Sequence, residues 1–272
     1  MKKEVIGVDL GGTNLRVALV KNNKIIRYIK KETPKTKDEI INELSKGIGE
    51  LITKETQGIG IASPGPIKNG IIGNTPNIAL RNFNLKKEIK KRFKIKVVVE
   101  NDANCVALAE AKFGCKKKNF FIITLGTGIG GGVIINGELF RGSNGYGGEL
   151  GHIILDNGKD FEFYCGWKRI KEVTIEKFGT SKYVSELVAM NNKEAHEILD
   201  EISEYLGQGI ASLINVFDPE VIIIAGGVRE SGNKFLKLIR EKTQKYVFVP
   251  WNKKMYWSKL DHPGILGASI LI

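Results

Sequence analysis

The chain is poor in the residues that would mark it as secreted, cross-linked or membrane-bound. Its 272 residues hold three cysteines, Cys105, Cys115 and Cys165, an odd number at wide spacing. They offer no disulfide framework, and a reducing compartment fits them. No apolar run approaches the ~18 residues of a membrane span. Met1-Lys2-Lys3 leads directly into a β-branched run without a signal-peptide pattern, so a cytoplasmic protein that does not engage a membrane is expected. Acidic side chains are the scarcer charge, 30 Asp and Glu against 42 Lys and Arg, for a formal net charge of +12. That excess is not concentrated: only short runs occur, such as Lys86-Lys87, Lys90-Lys91-Arg92 and Lys116-Lys117-Lys118. Scattered lysine is not a nucleic-acid footprint, and no nucleic-acid partner is expected. A positive field around a phosphate-handling cleft accounts for it at less cost. Glutamine is down to three residues beside abundant lysine, a composition that thermophiles share with chains of biased codon usage. The 42% of hydrophobic residues is enough for a substantial core in one or two globular domains.

Glycine is what the chain has in quantity, and it clusters. Asp9-Leu10-Gly11-Gly12-Thr13 follows Val5-Ile6-Gly7-Val8 and precedes Leu15-Arg16-Val17-Ala18-Leu19-Val20. That pattern predicts a strand, a two-glycine hairpin with a hydroxyl, and a second strand. Leu125-Gly126-Thr127-Gly128-Ile129-Gly130-Gly131-Gly132 repeats the plan after Phe120-Phe121-Ile122-Ile123-Thr124 and before Val133-Ile134-Ile135. Without a Cβ the backbone can approach an anion, and consecutive N–H groups in such turns form an anion nest. Either turn alone is as well explained by hairpin closure. Two together point to phosphate.

The order of predicted elements is itself repeated. After the first hairpin come a strand at 24–31, a helix at 36–54, a strand at 57–62, the rigid loop Ser63-Pro64-Gly65-Pro66 continuing through Asn74-Thr75-Pro76-Asn77, a helix at 85–93, a strand at 95–99 and a helix at 102–113. This is βββαβαβα. The second half opens with three strands over 120–139 and a glycine-rich loop over 141–151. Helices at 181–190 and 193–217 then interrupt the parallel, the second capped by Asn192 and stopped by Asp218-Pro219. A strand at 221–224, a helix at 230–246, a strand at 255–257 and a helix at 264–272 complete it. The repeat is one of element order, not of residues.

Two such halves, each with a phosphate turn after its first strand, resemble the actin-like ATPase (ribonuclease H-like) fold. Asp9-x-Gly-Gly-Thr13, Asn101-Asp102, Gly126-Thr127-Gly128-x-Gly130-Gly131-Gly132, Gly148-Glu149-Leu150-Gly151-His152 and Ala225-Gly226-Gly227-Val228, in that order, resemble the ROK family of sugar kinases and repressors. The resemblance runs from Val5 to Ala268. It implies an α/β fold with two domains around a nucleotide and sugar cleft, the smaller at 1–103 with a C-terminal helix at about 262–272, the larger at 104–261 with the helical insertion. It also implies an ATP-dependent kinase of a hexose hydroxyl, with glucose the first guess and N-acetylmannosamine, fructose or allose behind it.

In that light Asp102 is the expected general base, since a carboxylate can orient the attacking hydroxyl and take its proton as the bond to phosphorus forms. By itself the Asn101-Asp102 pair reads equally well as a helix cap. The resemblance makes Gly65, Asn77, Asn101, Asp102, Glu149, His152 and Glu172 the sugar-binding set, and Asp9, Gly11, Gly12, Thr13, Asn14, Gly126, Thr127, Gly128, Gly226 and Gly227 the nucleotide set. An acidic Asp9 beside phosphate implies Mg²⁺, held mainly through water and the nucleotide. The family usually follows its histidine with Cys-x-Cys-Gly-x-x-Gly-Cys-x-Glu, whose thiolates and histidine hold zinc. Here the segment is Phe163-Tyr164-Cys165-Gly166-Trp167-Lys168-Arg169-Ile170-Lys171-Glu172. Phe163 and Ile170 stand where two thiolates would, leaving only His152 and Cys165, and neither replacement coordinates metal. A zinc-free loop ordered by apolar packing of Phe163 and Ile170 is expected, with Glu172 still in register.

The family's repressors carry an N-terminal winged helix-turn-helix. A first strand beginning by Glu4 is expected to leave no room for one, and the retained Asp102 argues against a silent sugar binder. Polyphosphate remains open as donor on this basic surface, and a homodimer or higher homo-oligomer is expected.

Overall fold

A computed structural model describes residues 4–76, 78–252 and 254–272. They form two compact units: one comprises the chain up to Lys116 with Leu139–Gly147 and Leu260–Ile272, the other Lys117–Glu138 with Gly148–Lys259.

The first unit is built on the strands β1 (Glu4–Leu10), β2 (Asn14–Lys21), β3 (Lys24–Glu32), β4 (Thr56–Ser63) and β5 (Lys96–Asn101), in the sheet order β3-β2-β1-β4-β5. The hairpins make β1, β2 and β3 antiparallel, whereas β4 and β5 join in parallel. Helices α1 (Lys37–Leu51), α2 (Leu85–Phe93) and α3 (Asp102–Phe113) connect them. Helix α1 starts at a capping box, Thr36 with Glu39, and buries Ile40, Ile41, Leu44, Ile48 and Leu51 on one face. A small three-stranded sheet fills the 67–84 connection.

The second unit repeats the plan with β6 (Phe120–Leu125), β7 (Ile129–Ile135), β8 (Glu138–Leu139), β9 (Val221–Ala225) and β10 (Met255–Trp257), in the order β8-β7-β6-β9-β10. Its helices are α4 (Phe161–Cys165), α5 (Trp167–Phe178), α6 (Val184–Met190), α7 (Lys193–Phe217) and α8 (Gly232–Tyr246). The apolar face of α7, from Ile198 through Ile214, meets Ile222, Ile224, Phe235 and Ile239 in one core. Among the described residues no helix is long and apolar enough to cross a membrane.

The last helix, α9 (Pro263–Ser269), belongs to the first unit. It lies against β1, β4 and α3 so closely that a Cβ on Gly60 would fall 1.8 Å from the Ala268 carbonyl oxygen, and one on Gly267 1.8 Å from that of Cys105. This packing explains a departure from the expected boundary at residue 103. Helix α3 is pressed onto α9, so residues 104–116 stay with the first unit.

Three further differences are local. The expected helix at 230–246 divides at Gly232 into a 3₁₀ turn, Gly227–Ser231, and α8. The final helix stops at Ser269. The segment expected as a loop around 163–172 is helical: α4 and α5 run through it, broken only at Gly166.

Candidate active site

In the first unit the Gly11–Asn14 turn closes through a hydrogen bond from Gly11 N–H to the Asn14 carbonyl at 2.9 Å. Thr33, the residue after β3, braces it. Its hydroxyl donates to the Gly11 carbonyl at 2.6 Å and its N–H to the Thr13 carbonyl at 2.9 Å. With the turn's carbonyls so engaged, Thr13 stays exposed. Asp9 is half-buried one strand position away, and Arg16 Nη1 lies 2.9 Å from its Oδ2. Burial pushes the Asp9 carboxyl up, and Arg16 works against that shift.

Asn101 caps α3, its Oδ1 accepting from Asn104 N–H at 3.1 Å, while its Nδ2 donates to the Gly65 carbonyl at 3.1 Å. Two expected sugar-binding residues are thereby joined, and each polar atom of Asn101 retains capacity for one more bond. Asp102 follows as the first residue of α3, with Oδ1 accepting from Ala103 N–H at 2.8 Å. The buried Cys105 thiol is raised by burial first, and then by the charges of Glu100, Asp102 and Asp9, so these carboxylates share one neighbourhood. Asn77 lies outside the described residues.

In the second unit the turn after β6 closes from Gly126 N–H to the Gly128 carbonyl at 3.0 Å, leaving Gly126 and Thr127 exposed. Its glycines differ in what they are for. A Cβ on Gly126 or Gly227 would meet nothing within 4 Å. Gly226 has φ +101°, and a Cβ there would lie 2.1 Å from the Leu125 carbonyl oxygen, so the fold itself demands glycine. At Gly128 the neighbour is the Glu162 carboxylate, 2.1 Å from an added Cβ. Glu162 Oε2 accepts the Ile129 N–H at 2.7 Å, which puts an acidic side chain of α4 against a turn expected to hold phosphate.

Glu149 and His152 lie at either end of a 3₁₀ turn, Leu150–His152, joined by His152 N–H to the Glu149 carbonyl at 3.2 Å. Desolvation pushes the Glu149 carboxyl up, His152 opposes this and Glu162 adds to it. His152 is raised chiefly by a hydrogen bond between Nδ1 and Asp160 Oδ2, 2.9 Å apart. Glu172 is exposed on α5; besides each other, Glu149 and His152 both feel the charge of Glu162, and His152 also that of Asp160. Sequence reasoning missed both Glu162 and Asp160. Asp160 had a signal, an acidic cap three residues ahead of Phe163, which it fulfils by accepting Phe163 N–H at 2.8 Å.

The loop's expected apolar packing holds at one position and fails at the other. Ile170 is buried, but Phe163 is 48% exposed and Phe161 takes the core place instead. Cys165 is also in the core, its thiol directed at the Ile202 carbonyl 3.7 Å away and pushed well above its usual range by burial. With that thiol sequestered, two ligand positions apolar and His152 already bonded, the residues do not fit a zinc ion.

The ROK family model matches residues 5–272. A glucokinase of Thermotoga maritima is 34% identical over 311 aligned residues, covering 100% of this chain and 98% of that protein. A xylose repressor of Bacillus spizizenii is 32% identical over 89% of this chain but 69% of its own length. Among solved structures, a ROK family glucokinase from Streptomyces griseus in complex with glucose and AMPPNP superposes with a TM-score of 0.86, at 28% identity and 98% coverage of both chains. The fold is thus the actin-like ATPase fold.

Proposed function

The chain belongs to the ROK family, and from that premise we infer how it works: it is a sugar kinase that transfers the γ-phosphoryl group of ATP to a hexose hydroxyl, with glucose the first acceptor to test. The observation that carries the chemistry is Asp102 at the start of α3, beside Asn101 and the loop carbonyl of Gly65 that Asn101 binds. Asp102 takes the hydroxyl proton as the sugar oxygen attacks the γ-phosphorus and the bond to the ADP leaving group breaks. Asn101, Glu149 and His152 bind hydroxyls that do not react, and Asn77, Gly65 and Glu172 complete the proposed sugar set. The turns at Gly11–Asn14 and Gly126–Gly128 take the phosphates, with adenosine against Gly226 and Gly227.

A desolvated Asp9 with one guanidinium partner suits Mg²⁺ held through water and the nucleotide, which would supply charge neutralisation at the phosphates when bound. Zinc is no part of this reading. Protein purified without added metal should contain far less than one zinc per chain, and a chelator should not lower its Tm. The protein is read as a cytoplasmic homo-oligomer. A coupled assay over a hexose panel, with ATP and polyphosphate as alternative donors, tests the function. Turnover of one hexose with either donor supports it, and sugar binding without turnover would favour the regulator class to which the xylose repressor relatives belong.

A further inference from the structure

His152 is 58% exposed at its side chain and issues from a three-residue turn in a glycine-rich segment. Among the described residues its ring has one side-chain hydrogen-bond partner, a carboxylate that is itself fixed at both oxygens: Asp160 Oδ2 meets His152 Nδ1 at 2.9 Å, and Oδ1 accepts the Phe163 N–H at 2.8 Å. The eight-residue separation is bridged by a hairpin in which Ile154 pairs with Asp160, and Phe161 N–H donates to the Ile153 carbonyl at 2.9 Å. Helix α4 is in turn anchored by the fully buried Phe161, against which Gly209 of α7 leaves no room for a Cβ, and by Glu162 on Ile129. The histidine ring is therefore referred, through one turn of helix, to the phosphate turn after β6.

We propose that Asp160 is a positioning residue for sugar binding, which fixes the ring and tautomer of His152 where the residues present cannot hold a metal to do so. This rests on the reading of His152 as a sugar-binding residue. A carboxylate only accepts, so it keeps the proton on Nδ1 and leaves Nε2 of the neutral ring as an acceptor for a substrate hydroxyl. Asparagine at 160 would still cap α4 through Oδ1 but would present an NH₂ to Nδ1, which drives the proton to Nε2 and turns that acceptor into a donor.

The test compares Asp160→Asn and Asp160→Ser, both competent helix caps, with His152→Ala. Each Asp160 variant should keep the wild-type Tm and raise KM for the preferred hexose ~tenfold, the scale of one lost charge-assisted contact. The kcat and the KM for ATP should stay within about twofold. In the His152→Ala background Asp160→Asn should add nothing further to KM, because the two residues act as one unit. At a pH above the raised His152 value, where the ring is neutral, imidazole ¹⁵N shifts should show the proton on Nδ1 in the wild type and on Nε2 in Asp160→Asn. If His152→Ala raises KM while the Asp160 variants leave both KM and the ring tautomer unchanged, the positioning role is wrong. If His152→Ala itself leaves KM unchanged, the sugar-binding reading of His152 falls and the proposal with it, whereas the ring spectrum still reports independently whether Asp160 holds the imidazole.

Discussion

Asp9 and Arg16 are direct partners across the first hairpin, with Arg16 Nη1 2.9 Å from Asp9 Oδ2. Burial raises this carboxyl and the guanidinium is the main force lowering it, so Arg16 favours the ionised form that the proposed work beside phosphate calls for. Arg16→Met should raise the carboxyl further. The acidic limb of the kcat/KM profile for Mg-ATP then moves to higher pH, while the alkaline limb stays. A carboxyl raised in the folded state also costs stability progressively as the pH climbs from its unfolded value of ~3.9 through its raised folded one, so the Tm deficit of Arg16→Met should be larger at pH 7 than at pH 4. A profile that superposes on the wild type would show that Asp9 does not serve the nucleotide.

The glycines of the second unit separate folding from binding. Gly126→Ala puts a methyl into space the protein leaves open, so it should fold with an unchanged Tm and lose ATP affinity by tenfold or more if phosphate occupies that space. Gly226→Ala should instead unfold the region at an unchanged ligand concentration, because a positive φ and the Leu125 carbonyl both oppose it. Gly128 is the poorer probe: its neighbour is Glu162, so a side chain there displaces a carboxylate before it reaches any phosphate. Calorimetry with AMPPNP on the Gly126 variant decides the matter, and undiminished binding would remove this turn from the nucleotide site.

Asp102→Asn keeps a hydrogen-bonding side chain at the start of α3 but cannot take a proton. It should lower kcat by ~10²-fold or more and leave sugar affinity within about tenfold. Wild-type turnover would reduce Asp102 to a helix-terminal residue.

Much of this architecture was legible because local signals agreed with the global plan. Thr36 with Glu39 and Asn192 ahead of Ala195 mark helix starts by side-chain chemistry, and the buried β-branched runs of β1, β4, β6 and β9 mark the central strands. The largest departure from these expectations lies between 154 and 178. A spacing matched to a cysteine motif diverted attention from a helical one, in which Phe161, Cys165, Ile170 and Thr174 all face the core. The hairpin that delivers Asp160 to His152 turns at Asn157-Gly158, both with positive φ, a dipeptide that is itself a strong hairpin signal. The contact of Glu162 with Ile129 had no such signal, since 33 residues separate them and only the packing of α4 joins them.

The α7–α8 contact of the second unit carries an acid-sensitive charge cluster. Lys242 on α8 is buried and meets two carboxylates of α7, Asp200 at 2.6 Å and Glu204 at 2.7 Å, and Glu204 also receives Lys245 at 3.4 Å and the Tyr246 hydroxyl. The hydrogen bond from Lys242, followed by that from Tyr246, lowers the Glu204 carboxyl to about 2. A carboxyl depressed on folding stabilises above its unfolded value of ~4.3 and loses that contribution as the pH falls toward its folded one. The α7–α8 packing should therefore weaken between about pH 4.5 and pH 2, at a cost of roughly 1–2 kcal/mol from this group, because solvent screens its partly exposed carboxylate. Lys242→Met fits the apolar setting but leaves Glu204 with weaker partners, so it should lower stability at pH 7 by an amount of this order and flatten the acid limb of the Tm–pH curve. Urea melts of wild type and variant at pH 7 and pH 3 measure both effects. Equal destabilisation at the two pH values would place the role of Lys242 in packing alone and remove Glu204 from the acid response.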